Sequence, residues 1–72
     1  MTDLSKTISK ALGQEIYKNR KMRSITRQEL ASDIGVSQAV IQQYENGSTK
    51  ISLAVLSKIQ QVLKISIDHV FD

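Results

Sequence analysis

The chain has 72 residues, 40% of them hydrophobic and 4% aromatic, with ten Lys and Arg against seven Asp and Glu for a formal net charge of +3. A chain this short is one domain burying about 60% of its unfolded surface, so its core is small and marginal. There is no cysteine, which excludes a disulfide framework and a thiol nucleophile and fits a reducing cytoplasm. The start Met1-Thr2-Asp3-Leu4-Ser5-Lys6 lacks a signal peptide's apolar run, and nothing approaches membrane-spanning length.

Leu4, Ile8, Leu12 and Ile16 recur every four residues and predict a first helix from about Asp3 to Met22. Gly13 falls inside it at a cost of roughly 1 kcal/mol against alanine. Residues 1–11 are therefore read as an N-terminal extension that starts this helix, with a separate turn or a frayed end as alternatives, and residues 12–72 as the domain proper. Lys18, Arg20, Lys21, Arg23 and Arg27 lie together with no acid among them. Such a cluster suits a polyanion, but taken alone it is better read as a solvated helix end.

One device then marks four helix starts. An apolar residue precedes Ser or Thr, and another follows four positions after that cap: Ile25-Thr26 with Leu30, Val36-Ser37 with Ile41, Ile51-Ser52 with Leu56, and Ile65-Ser66 with Val70. Glu29 stands three residues after Thr26 and completes a capping box. Leu30, Ala31 and Ile34 share a face, as do Ile41 and Tyr44, while Leu53, Leu56, Ile59, Val62 and Leu63 form a longer stripe. Apart from the ambiguous Ile65-Ser66-Ile67, strand-like alternation is absent. The expectation is an all-α domain of five helices joined by short loops.

The third of these helices reads as a surface. At about 100° per residue Ile41 points inward with Tyr44 beside it, whereas Ala39 and Gln43 point nearly opposite, flanked by Gln42 and Asn46. Gln38 follows the cap and projects from the helix tip, the part that enters deepest when a recognition helix docks. Gln38, Ala39, Gln42 and Gln43, with Val40 at the edge, offer amides for base edges and methyls for thymine. Glutamines as mere polar filler would be the simpler explanation of this composition alone. The helix pair around them argues otherwise.

The run TRQELASDIGVSQAVIQQYENG, Thr26 to Gly47, resembles the helix-turn-helix of the phage repressor and Cro type (the XRE family), with its Thr-x-x-Glu-Leu-Ala start, Gly-Val-Ser turn, buried Ile and Glu-Asn-Gly exit. LGQEIYKNRK before it is similar to the family's first helix, and ISLAVLSKIQQVLKISIDHVF after it to the fourth and fifth, so residues 12 to 71 are covered. The resemblance implies a compact five-helix, lambda-repressor-like domain whose helix-turn-helix spans about residues 26–46 and binds double-stranded DNA. It implies that Gln38, Ala39 and Gln43 face bases, with Val40 and Gln42 secondary, and that Arg27, Gln28, Ser37, Asn46, Ser48, Thr49 and Lys50 hold phosphates. It also implies a structural ion pair between Arg20 and Glu45. Ala39 departs from the polar residue common there, and Ser24 and Lys64 stand where the family often has glycine; a non-glycine residue in a left-handed turn costs about 1 kcal/mol or more.

Catalysis is not expected. His69, beside Asp68, is the only histidine, the carboxylates are scattered, and Gly13, Gly35 and Gly47 do not make a phosphate loop. Neither a metal nor a cofactor is implied. Two function classes remain: a dimeric repressor on a palindromic operator, and a protein-interaction module of the same fold, antitoxin-like or regulator-sequestering. Ile67, Val70 and Phe71 suit either such a protein partner or a homodimer interface, the homodimer being preferred, with closure of the monomer core by Val70 and Phe71 as the alternative.

Overall fold

Three helices begin where the caps Thr26, Ser37 and Ser52 put them. In the computed structural model, which describes residues 4–65, α1 runs Leu4–Met22, α2 Arg27–Ile34, α3 Gln38–Asn46 and α4 Leu53–Leu63. Thr26 Oγ1 accepts the Glu29 backbone N–H at 3.0 Å and Glu29 Oε1 accepts that of Thr26 at 3.2 Å, so the capping box is complete. Ser37 and Ser52 cap α3 and α4 in the same way, through the N–H groups of Val40 and Val55. Each cap satisfies an amide that the helix itself leaves without a partner. Ile25, Val36 and Ile51, the residues just before the caps, pack half-buried against the core.

The core is built from all four helices. Ile16, Leu30, Ile41, Ile59 and Leu63 are fully enclosed, with Ala31, Ile34 and Tyr44 around them. The expected inward faces of α2 and α3 are therefore the observed ones. Leu53 is a correction to the expected α4 stripe: it is 84% exposed. At about 100° per residue it lies roughly 90° from the stripe's centre near Leu56, Ile59 and Leu63, and Val62, at the opposite rim, is only half-buried.

Among the described helices, α1 and α3 make the most extensive contact. Gly13 explains it: a Cβ there would overlap the Tyr44 carbonyl oxygen and stand 2.6 Å from that of Glu45. The glycine that looked like a weakness in α1 is what lets the end of α3 lie directly on it. Gly47 repeats the device from the other side, since its own φ is +77° and a Cβ would stand 2.8 Å from Lys10 Cα.

Ser24 and Lys64 both adopt the left-handed conformation, with φ of 54° and 53°. Ser24→Gly and Lys64→Gly should each raise stability by about 0.5–1 kcal/mol, the left-handed penalty less the extra entropy that glycine gives the unfolded chain. Thermal melts of the single variants check this. Among the described residues there are four helices and no strand, and no helix long and apolar enough to cross a membrane. The expected fifth helix with its Ser66 cap, His69, and the interface candidates Ile67, Val70 and Phe71 lie outside the described residues.

Candidate nucleic-acid interface

α3 is held by one side and offers the other. Ile41 and Tyr44 are buried and Val40 is half-buried against the core, while Gln38, Ala39, Gln42 and Gln43 are exposed. This exposed face carries no charge. Amides and one methyl are left as its chemistry, the set that pairs with base edges and contacts a thymine methyl.

The exit of α3 is fixed by charge. Glu45, with its side chain only 4% exposed, receives Arg20 Nε on Oε2 at 2.6 Å and Arg27 Nε on Oε1 at 2.8 Å. Arg20 is itself buried, reaches Glu45 a second time through Nη2 at 3.3 Å, and donates from Nη1 to the Ile25 carbonyl at 2.9 Å. Its guanidinium also lies 5.4 Å from the centre of the Tyr17 ring. One carboxylate thereby ties α1, the α1–α2 turn, the first residue of α2 and the end of α3. The Arg20–Glu45 pairing matches the expected one. The Arg27 contact was not legible in the sequence, because eighteen residues separate the partners and no spacing rule links them.

Arg27 stays about one-third exposed, and its Nη groups have no hydrogen bond among the described residues. It stands at the N-terminus of α2 beside Gln28, where helix amides and a cation together suit an anion. Ser37 caps the N-terminus of α3, its oxygen accepting the Val40 N–H. Gln28 and Lys50 are exposed.

The segment after α3 is more internally committed than its sequence suggests. Asn46 Oδ1 accepts the Ser48 N–H at 3.0 Å, Ser48 Oγ donates to the Gln43 carbonyl at 3.4 Å, and Thr49 Oγ1 donates to Gln43 Oε1 at 3.3 Å. These residues build the end of the helix as well as lining it. Lys21 and Arg23 turn to local partners instead: Lys21 sits 5.9 Å from the Tyr17 ring centre and Arg23 Nη1 donates to Asn19 Oδ1 at 3.1 Å. Among the described residues no group of three or more His, Cys, Asp or Glu is placed to hold a metal ion.

Two capped helices joined by a tight turn, the second anchored by Ile41 and Tyr44 and bare of charge outward, have a counterpart among known proteins. A family model described as helix-turn-helix matches residues 16–70. The chain belongs to the XRE-type helix-turn-helix family. It is 34% identical over 70 residues to an uncharacterized HTH-type transcriptional regulator of Rickettsia prowazekii, covering 97% of this chain and 54% of that protein. It is 37% identical over 60 residues to an uncharacterized transcriptional regulator in the ATPase CF(0) region of Rhodospirillum rubrum, covering 83% and 56%. A Yarrowia lipolytica protein provisionally named multi-protein-binding factor 1 is 33% identical over 60 residues, covering 83% and 40%. The chain thus spans about half the length of the curated relatives it matches. The matched region takes in the whole of α2, α3 and α4.

Proposed function

We propose that the chain is a sequence-specific double-stranded DNA-binding module of a transcriptional regulator, laying α3 in the major groove. The observation that carries this reading is the exposed, uncharged face of Gln38, Ala39, Gln42 and Gln43 on a helix that Ile41 and Tyr44 hold in place. Gln38, Ala39 and Gln43 read base edges, with Val40 and Gln42 at the rim. Arg27, Gln28, Ser37 and the Asn46-to-Lys50 segment face phosphates. Such contacts set register, and the few amides discriminate sequence.

One module of this size buries too little DNA surface for tight specific binding. The reading therefore includes a homodimer whose recognition helices lie one DNA turn, about 34 Å, apart on a palindromic operator, and repression by blocking polymerase. The sequence offers Ile67, Val70 and Phe71 for that dimer. The regulator acts in the cytoplasm, uses no cofactor and catalyses no reaction. A second reading, a protein-interaction module of the same fold, draws support from the Yarrowia relative's name and from Leu53, whose side chain is spread on the surface.

The two readings separate in a binding measurement on duplexes that the full chain selects from a random-sequence pool. Gln43→Ala should lose about 1–3 kcal/mol of discrimination at a single base pair. Arg27→Ala should weaken all sequences alike and make the salt dependence shallower by about one phosphate contact. A chain that binds a partner protein but shows no salt-dependent affinity for any duplex would move the interaction module first.

A further inference from the structure

We propose that Thr49 is a positioning residue for base reading, its hydroxyl pinning the Gln43 carboxamide by one edge so that the other edge is presented to the groove. This rests on the DNA-binding reading above and deepens it. The argument begins with how α3 ends. The Ser48 N–H bonds back to the Gln43 carbonyl at 3.1 Å, and Gly47, in the left-handed region, turns the chain. This is the Schellman arrangement, in which the residue after the glycine reaches the carbonyl five positions before it. The turn carries the next residue, Thr49, alongside the Gln43 side chain, and the 3.3 Å hydrogen bond from Thr49 Oγ1 to Gln43 Oε1 closes the loop. Asn46 Oδ1 on the Ser48 N–H and Ser48 Oγ on the Gln43 carbonyl hold the same segment from within.

The consequence concerns the amide. A glutamine placed on a base loses as much rotamer freedom as any side chain does, so a contact already made in the free protein removes part of that loss. Thr49 occupies one lone pair of Oε1. A second lone pair and the two Nε2 hydrogens remain, an acceptor beside a donor, and that pair is complementary to the N6 amino group and N7 of adenine. The side chains of Gln38 and Gln42 have no hydrogen bond among the described residues. Of the three glutamines on this face, Gln43 is thus the one presented in a single orientation, and the hydroxyl of Thr49 serves Gln43 while the backbone of the Thr49–Lys50 segment stays available to phosphate.

The test uses the full chain, Thr49→Val and Thr49→Ser, and duplexes recovered by the wild type, each made with all four bases at the position that Gln43→Ala identifies. Thr49→Val should reduce the preference for adenine there by about fivefold, the order of one hydrogen bond, with the salt slope unchanged and the melting temperature lowered by no more than the few degrees that one hydrogen bond carries. Thr49→Ser should retain the preference, and in a Gln43→Ala background Thr49→Val should have no further effect. In the free wild type, the Gln43 side-chain NH₂ should be more ordered by NMR relaxation than that of Gln42, and Thr49→Val should abolish the difference. If Thr49→Val instead weakens all four duplexes equally with a shallower salt slope, or acts undiminished without Gln43, the hydroxyl is a phosphate contact and the proposal is overturned alone. A wild type that recovers no duplex overturns the DNA reading and this proposal with it.

Discussion

Glu45→Ala should cost about 3 kcal/mol of stability, because it leaves Arg20 charged and buried with its main partner gone. The asymmetry of the cluster sets this figure. Arg20 and the Glu45 carboxylate are almost fully enclosed, so removing the acid strands a desolvated guanidinium that keeps only the Ile25 carbonyl and the Tyr17 ring. Arg27 is about one-third exposed and turns to water when Glu45 is lost, so its own pairing contributes little to stability. Arg27→Ala should accordingly change stability by less than about 1 kcal/mol, while Glu45→Ala lowers the melting temperature by more than about 10 °C for a domain of this size. Replacing both buried partners, Arg20→Met with Glu45→Leu, should recover much of the loss, since a well-packed apolar pair has no charge to bury. Equal losses for Glu45→Ala and Arg27→Ala would show that the cluster is not built around Arg20.

Gly13→Ala is expected to destabilise by about 3 kcal/mol, at the upper end of what overpacking costs, although alanine is the better helix former by about 1 kcal/mol. Intrinsic propensity and packing oppose each other here, and packing decides. The atoms a methyl group would meet are the backbone carbonyls of Tyr44 and Glu45, which cannot rotate out of the way as a side-chain tip would. α3 would have to lift from α1, and the Arg20–Glu45 contact spans the same crossing. The effect should therefore appear in the placement of α3 as well: a Gly13→Ala chain cooled until it is folded should still show a displaced α3, detected as amide chemical-shift changes clustered at residues 41–47. A variant as stable as the wild type would mean that the two helices do not approach as closely as described.

The parts of this molecule legible in its sequence are those that depend on neighbours in the chain. Thr26, Ser37 and Ser52 are caps because a hydroxyl three residues before an amide is a local arrangement, and Ile41 and Tyr44 face inward because they lie three apart. The outward Ala39, Gln42 and Gln43 follow from the same period, and Gln38 from its place just after the cap. What the pattern does not contain is contact between distant elements. Gly13 reads as a defect until α3 lies on it, Arg27 reads as one of a basic cluster facing phosphate until Glu45 is beside it, and Thr49 reads as a phosphate contact until the Gly47 turn brings its hydroxyl to Gln43. Leu53 fits the α4 stripe by spacing and misses the core because it sits at the stripe's rim, one residue past the cap.

The central claim, that the uncharged face of α3 reads DNA sequence, is tested most directly by selecting duplexes from a random-sequence pool with the full chain. The account predicts enrichment of one motif, palindromic with half-sites about one helical turn apart, whose affinity falls steeply as salt rises. An unenriched pool, or binding that ignores sequence and salt alike, would contradict it.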